Sequence, residues 1–366
     1  MKIIIVQENL KNALAVCSRA VGNSSSLPVL GNVLLNTQDG MLKLSATNLE
    51  IGITQRVRCK VETEGAVSLP AKLLVEIVSN LPSGPITLET VTDGLLVTAG
   101  KFRTTLKIVS PEDFPTVNDK VPEKNFSVPV EGLKRGLERV VFSVSTNETQ
   151  AELCGVSVVS RAGELVMTGT DRYRLAESKI VIPALKNFPL FSVIVPSRAI
   201  LEVLKLLHDT SSEAKFGVAD NQAVFQVGET VITTRLVDGQ YPEYEAIIPK
   251  EFSVSIIAKK QELLAALKTV SVFAKSSSGI AVAYEAGKDL IFSAKSQDAG
   301  EGVVEVSASV EGRSDTILFN HKYLLDMLPF LTSEDVCVKL NNPSAPVVFS
   351  GVDDKDYLYL VMPIKT

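Results

Sequence analysis

An α+β fold of three repeated domains, each made of two βαβββ halves with mostly antiparallel strands, is what the sequence predicts. Three observations carry it. The chain has 366 residues, more than the ~150 of one ordinary domain. Three short β-rich runs open alike, at Lys2 to Val6, Phe126 to Val130 and Phe252 to Ile256, and each leads into a helical pattern. About seventy residues into each third a second strand-to-helix unit follows, beginning at Val67, Ser192 and Asp315.

The elements justify the repeat in order. First helices are expected over 7–21, 131–144 and 259–275. Second helices are expected over 70–81, 197–207 and 320–331, where a Leu or Ile pair at helical spacing follows a Pro, Ser or Asn start. Between them a strand reaches a polar turn, in LKLSATNLE from Leu42, LVMTGTDRYRL from Leu165 and LIFSAKSQ from Leu290. Paired strands joined by Asp93-Gly94 and by Asp220-Asn221 come after the second helix. Each third ends on an apolar residue and a proline, at Phe114-Pro115, Tyr241-Pro242 and Met362-Pro363. The polar stretches Lys120 to Lys124 and Pro249 to Glu251 suit linkers, which sets the domains at 1–122, 123–250 and 251–366.

Composition narrows the function. With 45% apolar and 22% charged residues the chain is globular, not disordered. A net charge of −5 argues against a surface that grips phosphates all over. Cys17, Cys59, Cys154 and Cys337 are too far apart for a metal knuckle and are read as reduced thiols. Neither an export signal nor a membrane span is expected, since the N-terminal aliphatic run stops at Gln7 and the longest apolar stretch, 188–196, contains two prolines. A cytoplasmic protein is expected.

Charge is unevenly placed. The six helical segments carry thirteen Lys or Arg against seven Asp or Glu, which leaves the rest of the chain at −11. Glu is as good a helix former as Lys or Arg, so propensity alone does not explain the excess. A basic helical layer on an acidic body suits a polyanion bound through phosphates without base recognition.

Catalytic and cofactor motifs are missing. No phosphate loop, dinucleotide-binding turn or nucleophile elbow occurs, so neither cofactor nor metal is expected. His208 and His321 lie in different repeats, outside any zinc frame, and are read as surface or helix-end residues. Asp353 to Asp356 reads as a solvated hairpin tip. Two further readings stay open: a three-module scaffold for carbohydrate or peptide with incidental helix charge, and a hydrolase using Asp171 with Arg172 and Arg174.

Specific strings now add a resemblance. Leu27 to Leu35 (LPVLGNVLL), Thr170 to Ala176 (TDRYRLA), Gly239 to Tyr244 (GQYPEY), Phe319 to Leu325 (FNHKYLL) and Val361 to Ile364 (VMPI) resemble bacterial DNA polymerase III beta subunits, the replication sliding clamps, in order along the whole chain. The resemblance implies a DNA clamp fold and no enzymatic activity. It implies a head-to-tail homodimer, a closed ring around double-stranded DNA with helices lining its inner face. Tethering of the replicative polymerase, the DNA polymerase III alpha subunit, would confer processivity. The clamp loader, other polymerases and repair proteins would also bind, each through a short clamp-binding peptide.

Transferred by motif, the partner-peptide pocket comprises Leu153, Thr170, Arg172, Tyr173, Arg174, Leu175, Pro242, Ile247, Asn320, Tyr323, Pro346, Leu360, Val361, Met362, Pro363 and Ile364. Its apolar floor and polar rim, with an adaptable Met362, suit promiscuous peptide recognition, and an exposed apolar C-terminal tail over 360–364 is expected. The DNA-facing residues would be Lys11, Arg19, Lys72, Lys134, Arg135, Arg139, Arg198, Lys205, Lys259, Lys260, Lys268 and Lys275. At the ring seam, Arg103, Leu106, Lys107 and Ile108 would meet Val272, Phe273, Glu301 and Glu305. Arg172-Tyr173 stands where the family string TDGHRLA has Gly-His, Ala246 stands where an arginine is frequent, and Ser24 replaces an arginine of some relatives.

Overall fold

The computed structural model describes residues 1–22, 27–207, 212–274 and 279–365. Each third contains the two βαβββ halves that the repeat predicts. The first third runs β1 (Lys2–Val6), α1 (Gln7–Cys17), β2 (Asn32–Gln38), β3 (Met41–Thr47), β4 (Ile51–Arg58) and a short β5 (Lys60–Thr63). Its second half is β6 (Ala66–Pro70), α2 (Ala71–Asn80), β7 (Pro85–Val91), β8 (Gly94–Ala99) and β9 (Phe102–Leu106).

The middle third repeats this as β10 (Asn125–Pro129), α3 (Val130–Val141), β11 (Gly155–Arg161), β12 (Glu164–Thr170) and β13 (Arg174–Val181). It continues with β14 (Ser192–Pro196), α4 (Ser197–Leu206), β15 (Glu213–Ala219), β16 (Gln222–Val227) and β17 (Thr230–Arg235). The last third has β18 (Val254–Lys259), α5 (Lys260–Ser271), β19 (Gly279–Tyr284), β20 (Leu290–Ser296), β21 (Gly300–Val306) and a short β22 (Ala308–Glu311). It ends with β23 (Asp315–Asn320), α6 (His321–Met327), β24 (Asp335–Leu340), β25 (Val347–Gly351) and β26 (Tyr357–Val361).

Helix ends differ from the periodicity in four places, one of them α3, which stops at Val141 rather than at 144. The first helix stops at Cys17 and tightens into a 3-10 turn over Ser18–Ala20. The last α-helix stops at Met327 because Pro329 cannot donate, and Leu328–Phe330 is 3-10. The helix expected to reach residue 275 stops at Ser271, which leaves Val272 and Phe273 in the turn beyond it. Lys275, Ser24 and His208 lie outside the described residues.

Sheets join residues of different repeats. The chain divides into two compact units, 1–131 with 201–236, and 132–200 with 237–366. In the first unit a five-stranded sheet, β5-β1-β7-β8-β9, accompanies an eight-stranded one, β10-β15-β16-β17-β4-β3-β2-β6. In the second a nine-stranded sheet, β14-β11-β12-β13-β26-β25-β24-β18-β22, accompanies a four-stranded one, β21-β20-β19-β23. Every pairing among the described strands is antiparallel.

Two junctions obey one rule. β17, the last strand of repeat 2, pairs with β4, which closes the first half of repeat 1, with Thr234 opposite Ile51. β26, the last strand of repeat 3, pairs with β13, which closes the first half of repeat 2, with Val361 opposite Arg174. The residue after the last paired one makes the same backbone bond at both junctions, Arg235 N–H to Glu50 O at 3.0 Å and Met362 N–H to Tyr173 O at 2.8 Å. The remaining members of the series, β9 of repeat 1 and β21 of repeat 3, are both sheet edges.

Cores follow the two-residue strand period and the apolar helix stripes. In the first unit Ile3, Ile5, Leu10, Leu14, Leu44, Leu69 and Leu74 are fully buried, and Gln7 Nε2 donates to Val78 O at 2.7 Å, tying α1 to α2. In the second unit α3 lies close on β12. A side chain on Gly169 would collide with the carbonyl of Val140, and one on Gly136 with the Met167 thioether.

Candidate functional site

The residues transferred by motif gather in the second unit around one turn. Thr170 Oγ1 donates to Arg174 O at 2.7 Å and accepts the Arg172 N–H at 3.2 Å. Asp171 Oδ1 accepts the N–H groups of Tyr173 and Arg174, both at 3.0 Å. These bonds hold Arg172 in the left-handed region at φ 77°, a conformation that costs a non-glycine residue roughly 1–2 kcal/mol.

Arg174 organises the wall beside this turn. Its Nε donates to Asp171 Oδ2 at 2.9 Å, Nη1 to Asp326 Oδ2 at 2.6 Å and Nη2 to Phe142 O at 2.7 Å. The guanidinium also lies 4.7 Å from the Tyr323 ring centre and 5.6 Å from that of Phe142. Burial works against its charge, but the neighbouring Tyr359, Asp326 and Asp171 outweigh it and hold its pKa above the usual arginine value. Asp171 has both carboxylate oxygens engaged, so the hydrolase reading loses its free base.

The C-terminal segment runs beside the turn. Leu175 pairs with Leu360 and Arg174 with Val361, and beyond β26 the Ile364 N–H reaches Leu318 O at 2.8 Å. Leu360 and Val361 are buried in the sheet at 1% and 0% exposure, which corrects the expectation of an exposed tail. Leu360 and Val361 belong to an inner strand, and residues 362–364 continue beyond it. Met362 is half-buried and Ile364 exposed.

A strap over 241–248 lies behind the floor. Tyr244 packs with Leu175, Val348 and Leu360, and Tyr241 and Met362 join this cluster. Tyr241 donates to Thr168 O at 3.1 Å, while the Tyr244 hydroxyl donates to the Glu177 carboxylate and accepts from Thr168 Oγ1 at 3.0 Å. Burial raises the pKa of both phenols, keeping them donors.

Leu153, Thr170 and Pro363 are buried, Asn320 and Pro346 half-buried, and Pro242 and Ile247 exposed. Asn320 caps α6, its Oδ1 accepting from Lys322 N–H at 3.1 Å. Thr170, Arg172, Tyr173, Arg174, Leu175, Tyr323, Leu360, Val361 and Met362 are thus linked directly. For Leu153, Pro242, Ile247, Asn320, Pro346, Pro363 and Ile364 the structure gives a place without a direct bond to the turn. Motif transfer missed Phe142, Asp326, Tyr241, Tyr244 and Glu177. The two tyrosines of GQYPEY are a signal that could have found the strap, whereas the bonds to Phe142 and Asp326 have none.

The basic residues separate by environment. Lys11, Arg19, Arg135 and Lys268 are exposed on or beside their helices, and Lys72 is exposed as well. Arg198, Lys205 and Lys259 are exposed but paired with Glu148 at 3.1 Å, Glu202 at 2.7 Å and Asp335 at 2.9 Å. Lys134 is half-buried, and Lys260 is half-buried with its Nζ on Leu331 O at 2.8 Å. Arg139 is a correction: it is buried against Asp354, hydrogen-bonded to Phe330 O at 3.2 Å and lies over the Tyr357 ring, so phosphate cannot reach it. Asp354 is correspondingly no solvated hairpin-tip residue.

The residues expected at a ring seam lie on or beside two sheet edges, with Val272 and Phe273 in the turn after α5. On β9, Arg103 is exposed while Leu106 is 6% exposed against its own sheet, so Leu106 has backbone rather than side chain to offer. Lys107 is exposed and Ile108 half-buried. On β21, Glu301, Val303 and Glu305 are exposed on one face, and Phe273 lies over Gly302 on the other. Val272 is exposed, as is Phe102, which the sequence did not single out.

Among the described residues no group of three or more His, Cys, Asp or Glu could hold a metal, and no helix is long and apolar enough to cross a membrane. Six βαβββ halves, sheets fused across the repeats and a surface built of turn, strap and tail define the class: a sliding clamp, a binding protein rather than an enzyme. The N-terminal, central and C-terminal domains of the DNA polymerase III beta subunit match residues 1–118, 127–243 and 245–365, and the chain belongs to that family. The beta sliding clamp of Synechocystis is 33% identical over 100% of this chain and 99% of its own. That of Escherichia coli K12 is 28% identical over 100% of both. The crystal structure of the DNA polymerase III subunit beta from Pseudomonas aeruginosa superposes with a TM-score of 0.94 at 29% identity, over 100% of both chains. The sliding clamp of Bacillus subtilis, at 24% identity, shares the fold with a TM-score of 0.95 over 100% of this chain and 99% of its own.

Proposed function

We propose that two copies of this chain close head to tail into a ring that encircles duplex DNA in the cytoplasm. Within it, the exposed basic residues of the helices would face the phosphates. The observation that carries this reading is the pair of open edges. β17 joins β4 and β26 joins β13 by one rule, and the same rule applied once more joins β9 to β21. Both strands end their sheets within one chain, so a second copy supplies the partner, and two such seams pair both of these edges in each copy. An antiparallel register that sets Arg103 opposite Glu305 also sets Lys107 opposite Glu301, because both pairs are four residues apart.

Such a ring holds DNA by enclosure. Contacts to phosphate are weak, salt-dependent and indifferent to sequence, which lets the ring slide. The turn at 170–174 with Met362 and Ile364 serves as the dock for short apolar peptides of a polymerase, a clamp loader and repair proteins. Domains 1–122, 123–250 and 251–366 are the units of the ring.

Retention on nicked circular DNA, with rapid loss once the circle is cut, tests enclosure. Equal retention on linear DNA overturns it. Sedimentation at micromolar concentration tests the seam, and a mass of one chain counts against it.

A further inference from the structure

We propose that Arg172 is a specificity-determining residue of the peptide dock, selecting partner peptides that carry an aspartate or glutamate beside their apolar side chains. The proposal rests on the dock proposed above and adds the charge that dock prefers.

Two turns in this chain share one backbone. In Thr47–Ile51, as in Thr170–Arg174, the threonine hydroxyl donates to the carbonyl of the last residue, at 2.9 and 2.7 Å. It also accepts the N–H of the third residue, at 3.0 and 3.2 Å. Asn48 Oδ1, like Asp171 Oδ1, accepts the two N–H groups that follow the third residue. The third residue is left-handed in both turns, at φ 76° for Leu49 and 77° for Arg172. Threonine and Asn or Asp therefore fix this turn, and the third side chain contributes nothing to closing it. Glycine would be the easiest residue there, so an arginine is not explained by the fold.

The two arginines of the second turn differ sharply. Arg174 is consumed by Asp171, Asp326 and Phe142 O, and it takes the nearest carboxylate with it. Arg172 is exposed and makes no ion pair or side-chain hydrogen bond among the described residues. It stands beside Tyr173, 64% exposed, whose carbonyl holds Met362. An unmatched guanidinium next to aromatic and apolar surface suits a carboxylate on a peptide. A sugar-phosphate backbone would find the same charge but would leave Tyr173, Met362 and Ile364 without an apolar partner.

The test uses labelled ten-residue peptides with adjacent Leu and Phe, in which each flanking position in turn carries Asp, Asn or Lys. Wild type should bind its best Asp peptide ~3–10-fold more tightly than the Asn twin, with the ratio shrinking as salt rises. Arg172→Gly should abolish the ratio while keeping affinity for the Asn peptide, and Arg172→Glu should turn the preference toward Lys. An Asp-to-Asn ratio that survives Arg172→Gly overturns the inference. So does equal weakening of every peptide, or a loss confined to DNA retention. If wild type binds none of the peptides, the dock itself fails and the inference with it; if Met362→Ala weakens all of them while no charge preference exists, only the inference fails.

Discussion

Arg139 on α3 and Asp354 on the β25–β26 turn form a buried ion pair, with side chains 3% and 7% exposed. The guanidinium is further engaged by Phe330 O, by Thr332 Oγ1 at 3.4 Å and by the Tyr357 ring at 4.9 Å from its centre. Removing one partner leaves an uncompensated charge in a dry site. Asp354→Asn or Arg139→Met should each lower stability by roughly 3–5 kcal/mol in urea unfolding, and the double change to apolar residues should recover most of it. Single variants within about 0.5 kcal/mol of wild type would show that the pair is dispensable.

Arg174 joins three segments that are distant in sequence. Arg174→Lys keeps the charge but loses the fork that reaches Asp171, Asp326 and Phe142 O together. We expect ~10-fold weaker peptide binding by fluorescence anisotropy for both Lys and Ala variants, because neither restores the wall. Full affinity in Arg174→Lys would mean that charge alone suffices.

At the seam, charge reversal should be correctable. Arg103→Glu should shift the monomer–dimer equilibrium toward monomer in analytical ultracentrifugation, and adding Glu305→Arg should restore the dimer, the coupling being ~0.5–1.5 kcal/mol at low salt. A double variant no better than the single one would refute this register.

Alkaline pH should expose a buried thiol. Desolvation pushes the Cys17 pKa from 9.0 up to about 12, so the folded chain keeps a proton that the unfolded chain releases. Its stabilising contribution is fully present below pH 9 and is lost as pH rises toward 12, at ~1.4 kcal/mol per pH unit. Tyr241, Tyr244 and Tyr359, raised by burial, act with the same sign only from pH 10 upward. Burial also raises Cys59 and Cys154, with the same sign, so urea midpoints between pH 9 and 10 report the thiols together and Cys17→Ala should reduce that slope; an unchanged slope would assign it elsewhere.

Much of the fold was legible in the chain because its signals are local. The threefold return of a β-rich run before a helical pattern located all six helices, and only their ends moved, at Cys17, Val141, Ser271 and Met327. The site was legible in part. TDRYRLA and VMPI marked the turn and the segment beside it, yet Phe142 and Asp326 lie far from Arg174 in sequence and carry no pattern of their own. Arg139 misled for a related reason: a helix of Lys134, Arg135 and Arg139 reads as one basic face, while the guanidinium that turns inward meets a carboxylate more than 200 positions away.

Repeat architecture, helix positions and the excess of positive charge on helical segments are properties of neighbouring residues, so they are written in the linear order of amino acids. Which strand edges meet, which arginine is neutralised and which stays unmatched, and whether Leu360 is floor or tail depend on contacts across the compact units' sheets. Those contacts are settled only when the chain folds, because burial and hydrogen-bond partnership are relations between residues brought together in space.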